Sequence, residues 1–325
     1  MRASYLGIEL SSPVVVASSP YTASRANIER CVRHGAGAVV LKSIFEEQIF
    51  RHATALERNA PPVGMGDSGE YLERYLDDAY RAEYLRLVSE ARATDIPVIA
   101  SINCLSGSDR WVEYAVDIQG AGASALELNL FLLATDHHHT AEELEIIYGN
   151  TVAAVVSAVT IPVSVKLPMR LTNFLSLADR LLGAGARGVV LFNRFFEPDI
   201  DIERLCFVPS DPFSTPSELR NVLRPTALCS TALPQLDIAV STGVHDGAAA
   251  IKALLCGASV VQLCTAIHRM GYRVIENIHD FIEGWADRHG FDSLAVFRGC
   301  MNFGNTGDDN YQRIQYMKYF PHGVE

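Results

Sequence analysis

One phrase recurs along this chain and limits how it can fold. Gly35-Ala36-Gly37-Ala38 runs into VVLKS, Gly120-Ala121-Gly122-Ala123 into SALELN, Gly183-Ala184-Gly185-Ala186 into RGVVLFN, and Cys256-Gly257-Ala258 into SVVQLCT. Each reads as a glycine that stops a helix, followed at once by a buried strand. A second set of apolar runs lies between them: PVVVASS from Pro13, PVIASIN from Pro97, PVSVKL from Pro162 and DIAVST from Asp237. Interleaved, the two sets give eight strands separated by helical stretches. Strands that are apolar almost throughout belong to a parallel sheet covered on both faces. Eight such units close into a (βα)8 TIM barrel. An open doubly wound sheet is the rival, but no strand is followed by a full G-x-G-x-x-G, and HGAGAVV and LGAGARG precede strands, not helices.

Length and composition place all of this in one domain. A chain of 325 residues, 49% hydrophobic, buries a large core, so residues 1–325 are read as a single barrel with a C-terminal tail from about 300 to 325. The start MRASYLGIELSS lacks a signal-peptide core and no bilayer-length apolar run is found, which predicts a soluble, cytoplasmic protein. Seven scattered cysteines without a C-x-x-C pair read as reduced thiols, not as a structural metal site. A net charge of −11 argues against nucleic acid as a partner, so an anionic ligand must be held locally.

Two segments exceed ordinary loop length, and both leave strands on the C-terminal face, where barrel enzymes do their chemistry. One follows strand two from Ile44 to Glu70 before a helical run; the other follows strand six from Arg194 to Arg220. Long inserts at these places build lids or pockets.

The strand ends carry the candidate site. Asp237 to Gly271 holds two short strands, one ending in Ser241-Thr242-Gly243 and one in Cys264-Thr265, each just before a helix-forming run. Small hydroxyls and exposed N–H groups there suit a phosphate. The other ends are unusually polar: Ser18-Ser19, Lys42-Ser43, Ser101 with Asn103, Glu127 with Asn129, Lys166, and Asn193. A lysine inside VVLKS or VSVKL needs an anion or acceptors to offset desolvation, unless it extends out of the barrel mouth or pairs with Glu127. Two lysines and two amides could also read the edge of a polar ring.

Taken in order, VVVASSP, GAGAVVLKS, ELNL, VKLP, STGV, LLCGASVVQLCTAIHRMG and GFDSLAVFRG resemble the soluble class of dihydroorotate dehydrogenases over roughly residues 4 to 300. The resemblance implies an FMN-binding (βα)8 barrel that oxidises dihydroorotate to orotate in pyrimidine biosynthesis, commonly as a homodimer. It implies flavin contacts at Ala17, Ser18, Lys42, Ser43, Asn103, Asn129 and Lys166. It implies phosphate contacts at Thr242, Gly243, Cys264 and Thr265, and a substrate contact at Asn193.

The chain departs from that pattern where the reaction needs a base. The family's strand-four loop supplies a cysteine base and a substrate-binding asparagine, but here Asn129 is followed by Leu130-Phe131-Leu132-Leu133-Ala134. Apolar side chains cannot take a proton. Farther along the same loop, Thr135-Asp136-His137-His138-His139 offers His137 as a substitute base, while a solvated loop leading to a helix start at Thr140-Ala141-Glu142-Glu143 is the alternative. Cys104, just past strand three, is either a replacement base or an inert thiol. Three functions stay open: a dihydroorotate-type dehydrogenase with a relocated base, a flavoprotein of the same fold with another substrate, and a catalytically silent flavin- or phosphate-binding barrel.

Overall fold

The computed structural model describes residues 1–45, 68–103, 108–132, 135–194, 197–209, 211–306 and 311. The eight expected strands are all present: β1 (Val14–Val16), β2 (Ala38–Val40), β3 (Val98–Asn103), β4 (Ala125–Asn129), β5 (Val163–Pro168), β6 (Gly188–Asn193), β7 (Asp237–Ser241) and β8 (Val260–Leu263). Each pairs in parallel with the next, as in Val39 opposite Val98 and Ser164 opposite Gly188. β8 returns to β1 through Val261 opposite Val14, which closes the barrel. A closed parallel barrel leaves no free sheet edge, and the strand residues are accordingly buried almost without exception.

The Gly-Ala turns work as expected. Gly257 ends the helix Gly247–Leu255 and sits at φ +110°, and a Cβ there would come within 2.3 Å of Ser230 Oγ. The residue must be small as well as conformationally free before the chain can turn into β8. The helix starts are capped locally: Ser24, Asn173 and Asp246 each accept from a backbone N–H three residues on.

Two additions frame the barrel. An antiparallel hairpin, Ala3–Tyr5 with Ile8–Leu10, packs on the end where the strands begin: Leu6 N donates to Asp237 Oδ2 at 2.8 Å, at the start of β7. At the opposite end, the segment after β6 forms a hairpin of Pro198–Asp201 with Cys206–Pro209. Of the segment after β2, residues 46–67 lie outside the described residues, and its later part is the helix Ser68–Arg92. Most of the C-terminal tail also lies outside them. Among the described residues no helix is long and apolar enough to cross a membrane.

Candidate functional site

The C-terminal mouth of the barrel holds a cavity of about 160 Å³. Ala17 and Ser18 reach it from β1, Lys166 from β5, Asn193 from β6, Thr242 and Gly243 from β7, and Cys264 and Thr265 from β8. Seven of the residues expected to contact a cofactor therefore share one space, although they come from four separate strand ends.

The β7 turn is built for close approach. Thr242 and Gly243 both have left-handed backbones, at φ +82° and +79°. For a threonine this costs about 1–2 kcal/mol. Part is offset by a hydrogen bond from Thr242 Oγ1 to Phe192 O at 3.2 Å. Gly243 cannot be larger, because a Cβ would lie 2.3 Å from Leu219 N. On β8, Thr265 Oγ1 accepts from Ser214 N at 3.2 Å, which leaves the Thr265 hydroxyl hydrogen available to a ligand.

Lys166 lines this cavity as a buried cation, only 9% exposed. It sits in the regular part of β5, so the pleat fixes its direction. Two ionisable neighbours respond to it. Burial pushes the Glu127 carboxyl up, while Lys166 and the amide of Gln262 pull it down. Burial likewise pushes the Cys264 thiol up, partly offset by Lys166 and by Ser19. Gln262 Nε2 donates to Glu127 Oε2 at 2.8 Å, but Glu127 Oε1 and Gln262 Oε1 find no hydrogen-bond partner among the described residues. The burial of these unpartnered oxygens acts in the same direction, holding the carboxyl above its ordinary range.

The other expected residues stand around this cavity or apart from it. Asn193 Nδ2 donates to Asn129 Oδ1 at 2.8 Å, which makes the two amides one unit across β4 and β6. Ser43 joins Ser18 and Ser101 in a hydroxyl chain with Oγ–Oγ distances of 3.0 and 2.7 Å. Tyr84 anchors that chain by bonding both backbone groups of Ser101. Asn103 ends β3 half-buried. Lys42 is elsewhere: it lines a separate cavity of about 400 Å³ beside Tyr84 and Glu83, with Nζ 5.4 Å from the Phe45 ring centroid. β2 ends at Val40, so no pleat directs Lys42 inward.

His137 lies on an exposed turn outside the lining of the mouth cavity, its ring 4.0 Å from that of His138. The turn leads into the helix Ala141–Ala158, where Thr140 and Glu143 cap each other reciprocally. Asp136, His137 and His138 bring ligand atoms within 4.8 Å of one another, but all three are solvent-exposed. Leu130 is buried, Leu132 half-buried, and Leu132 N donates to Tyr148 OH at 3.1 Å. Cys104 lies outside the described residues.

Sequence reasoning did not select Ser214, Arg194 or His245. Arg194 and Ser214 line the cavity from the segment after β6, where Arg194 grips Glu218 with two nitrogens and donates to Asp211 O at 3.0 Å, and His245 meets Ser214 Oγ from the turn after β7 at 3.0 Å. That segment has no periodic pattern; a charged residue directly after the Asn193 strand end was the one available signal.

No family model matches the chain. It is similar to the catalytic subunit of dihydroorotate dehydrogenase B (NAD(+)) from Methanothermobacter thermautotrophicus, 27% identical over 315 residues, which covers 92% of this chain and 97% of that protein. Dihydroorotate dehydrogenase A (fumarate) from Lactococcus lactis is 25% identical over 320 residues, covering 92% and 98%. The dihydroorotate dehydrogenase B catalytic subunit of Pyrococcus abyssi is 27% identical over 314 residues, covering 92% and 98%. The protein is a divergent relative of the dihydroorotate dehydrogenases along nearly its whole length.

Proposed function

We propose that this chain is an FMN-dependent oxidoreductase of the dihydroorotate dehydrogenase type. The observation that carries the reading is the convergence of Ser18, Lys166, Thr242, Gly243 and Thr265 on one cavity at the barrel mouth. The donor set at the ends of β7 and β8 fits the phosphate end of the cofactor: a free hydroxyl hydrogen on Thr265 and a close-approach glycine in Gly243. At about 160 Å³ the cavity matches a phosphate and its linker, since whole cofactor sites span about 300–1,000 Å³. The ring then belongs to the side of the face where Ala17, Lys166, Ser43, Asn103 and Asn129 stand. When bound, FMN supplies the hydride acceptor.

The chain's own residues then have separate tasks. Lys166 holds positive charge where electron density builds on reduction. The coupled amides of Asn129 and Asn193 present an acceptor and donors to a polar substrate edge. Ala17 leaves room for a flat ring above β1.

The residues that directly follow β4, Leu130, Phe131 and Leu132, are apolar and cannot take a proton where the resemblance implies a base. That composition favours a second reading: a flavoprotein of the same fold whose substrate is less polar than dihydroorotate, or already acidic at the carbon that loses its proton.

We also place the protein in the cytoplasm as a homodimer. Ile200, Ile202, Leu205 and Phe207 on the hairpin after β6 are 57–86% exposed and give it an apolar surface for a second copy. Light scattering on a sizing column checks this, and a monomer at micromolar concentration refutes it.

The deciding experiment is anaerobic. The purified protein is titrated with FMN, and dihydroorotate is added to the loaded form while flavin absorbance is followed. Bleaching at an enzymatic rate supports the first reading. FMN uptake without bleaching by dihydroorotate supports the second, and a protein that takes up no FMN overturns both.

A further inference from the structure

The segment from Asp211 to Glu218 is strapped across the β7 and β8 turns and places one serine at the phosphate end of the cavity. Arg194 ties both ends of it, donating to Asp211 O at 3.0 Å and to the two Glu218 oxygens at 3.2 and 3.4 Å. Leu219 presses on Gly243 so closely that no Cβ fits between them. Between these anchors Ser214 is 5% exposed and lines the cavity. Its N–H is spent on Thr265 Oγ1 at 3.2 Å. Among the described residues its hydroxyl has one hydrogen-bond partner, His245 Nε2 at 3.0 Å. His245 is itself 8% exposed and stands behind Ser214, on the turn that begins with Thr242 and Gly243.

A serine hydroxyl has one hydrogen, and His245 decides where it goes. If Nε2 is bare, Ser214 donates to the ring and turns lone pairs toward the cavity, which repels an anion. If Nε2 carries a hydrogen, the ring donates to Ser214 Oγ, and the hydroxyl hydrogen is released toward the cavity beside that of Thr265.

We propose that Ser214 is a direct phosphate ligand of this site and that His245 is its positioning residue, donating from Nε2 so that the Ser214 hydroxyl points at the bound phosphate monoester. The pair makes the site selective for a phosphorylated flavin over the unphosphorylated one. The inference rests on the flavin reading above. It needs no imidazolium: burial and Arg269 hold the ring below its ordinary pKa, against the pull of Asp246 and Glu218, so a neutral Nε2–H tautomer does the work.

The test is a titration of the full chain with FMN and with riboflavin, followed by flavin fluorescence, with melting temperature as the check on folding. A hydrogen bond to a charged group is worth about 1.5–3 kcal/mol, or roughly 10–100-fold in affinity. Ser214→Ala is expected to lose about 10-fold or more for FMN and nothing for riboflavin. His245→Ala loses FMN affinity in the same way. His245→Gln, whose amide N–H can stand in for Nε2–H, keeps most of it. If the preference for FMN over riboflavin is the same in Ser214→Ala as in the unmodified chain, the serine is not a phosphate ligand, and the flavin reading survives. If His245→Ala and His245→Gln lose equally, the orienting role falls. An unmodified chain that binds both flavins equally overturns the inference alone, and one that binds neither removes the flavin reading and the inference with it.

Discussion

Gly243→Ala puts the construction of the site to a quantitative test. Gly243 sits at φ +79°, so alanine there pays about 1–2 kcal/mol for a left-handed backbone. The new Cβ would also lie 2.3 Å from Leu219 N and 2.7 Å from Leu219 Cα. Neither is a flexible side-chain end: Leu219 opens the helix Leu219–Ala232, whose first turn is held down by the Arg194–Glu218 pair. Moving that backbone by about 1 Å costs about 1–3 kcal/mol, as overpacking does elsewhere. The sum is about 2–5 kcal/mol, which at about 1.5 °C per kcal/mol for a chain of this length lowers the melting temperature by roughly 3–8 °C. Gly290→Ala is the matched control, because Gly290 is left-handed at φ +71° and ψ +31° with nothing within 4 Å of a Cβ. It should lose only the backbone part, about 2–3 °C. Calorimetry on both variants, with an FMN titration alongside, reads the difference. Equal losses in the two variants, or full FMN affinity in Gly243→Ala, would show that the strap does not press on the β7 turn and that the close approach described here is wrong.

Three further outcomes follow from the same geometry. Glu127→Gln keeps the shape, supplies a donor for the orphaned Gln262 oxygen, and removes a carboxyl that burial holds above its ordinary range. A raised folded pKa means that stability is present at acid pH and lost as pH rises, so the variant's gain in melting temperature should be larger at pH 8 than at pH 5, and a gain independent of pH refutes the assignment. His245 has the opposite sign: its depressed folded pKa gives stability that is present above the ordinary histidine value of 6.5 and is lost as pH falls below it. His245→Gln should therefore flatten the fall in melting temperature between about pH 6.5 and 5, relative to the unmodified chain. Finally, alanine at His137, His138 or His139 should leave bound FMN unchanged, and turnover of the true substrate collapses only if that histidine is the base.

The barrel was legible because its signal is local and repeated. A glycine that must leave a helix and enter a buried strand is constrained within four or five residues, as Gly257 shows, and four copies of that turn interleaved with four Pro- or Asp-led strands leave few topologies. The polar strand ends were legible for the same reason: position on a parallel strand places them on one face. What the linear pattern left open was which of those ends share a cavity. Lys166 and Lys42 occupy matching phrases, yet β5 runs regularly through Lys166 and aims it at the mouth, whereas β2 stops at Val40 and Lys42 turns to a different cavity beside the Ser68–Arg92 helix. Ser214 and His245 lie 31 residues apart and meet only because Arg194 straps an aperiodic segment over the β7 turn. Sequence alone determined the barrel and the kind of chemistry its mouth can support, since both rest on short-range backbone rules. Tertiary packing decided which lysine faces the cavity, which hydroxyl keeps a free hydrogen and which carboxyl is held above its ordinary range, because those depend on neighbours that the chain brings together only when it folds.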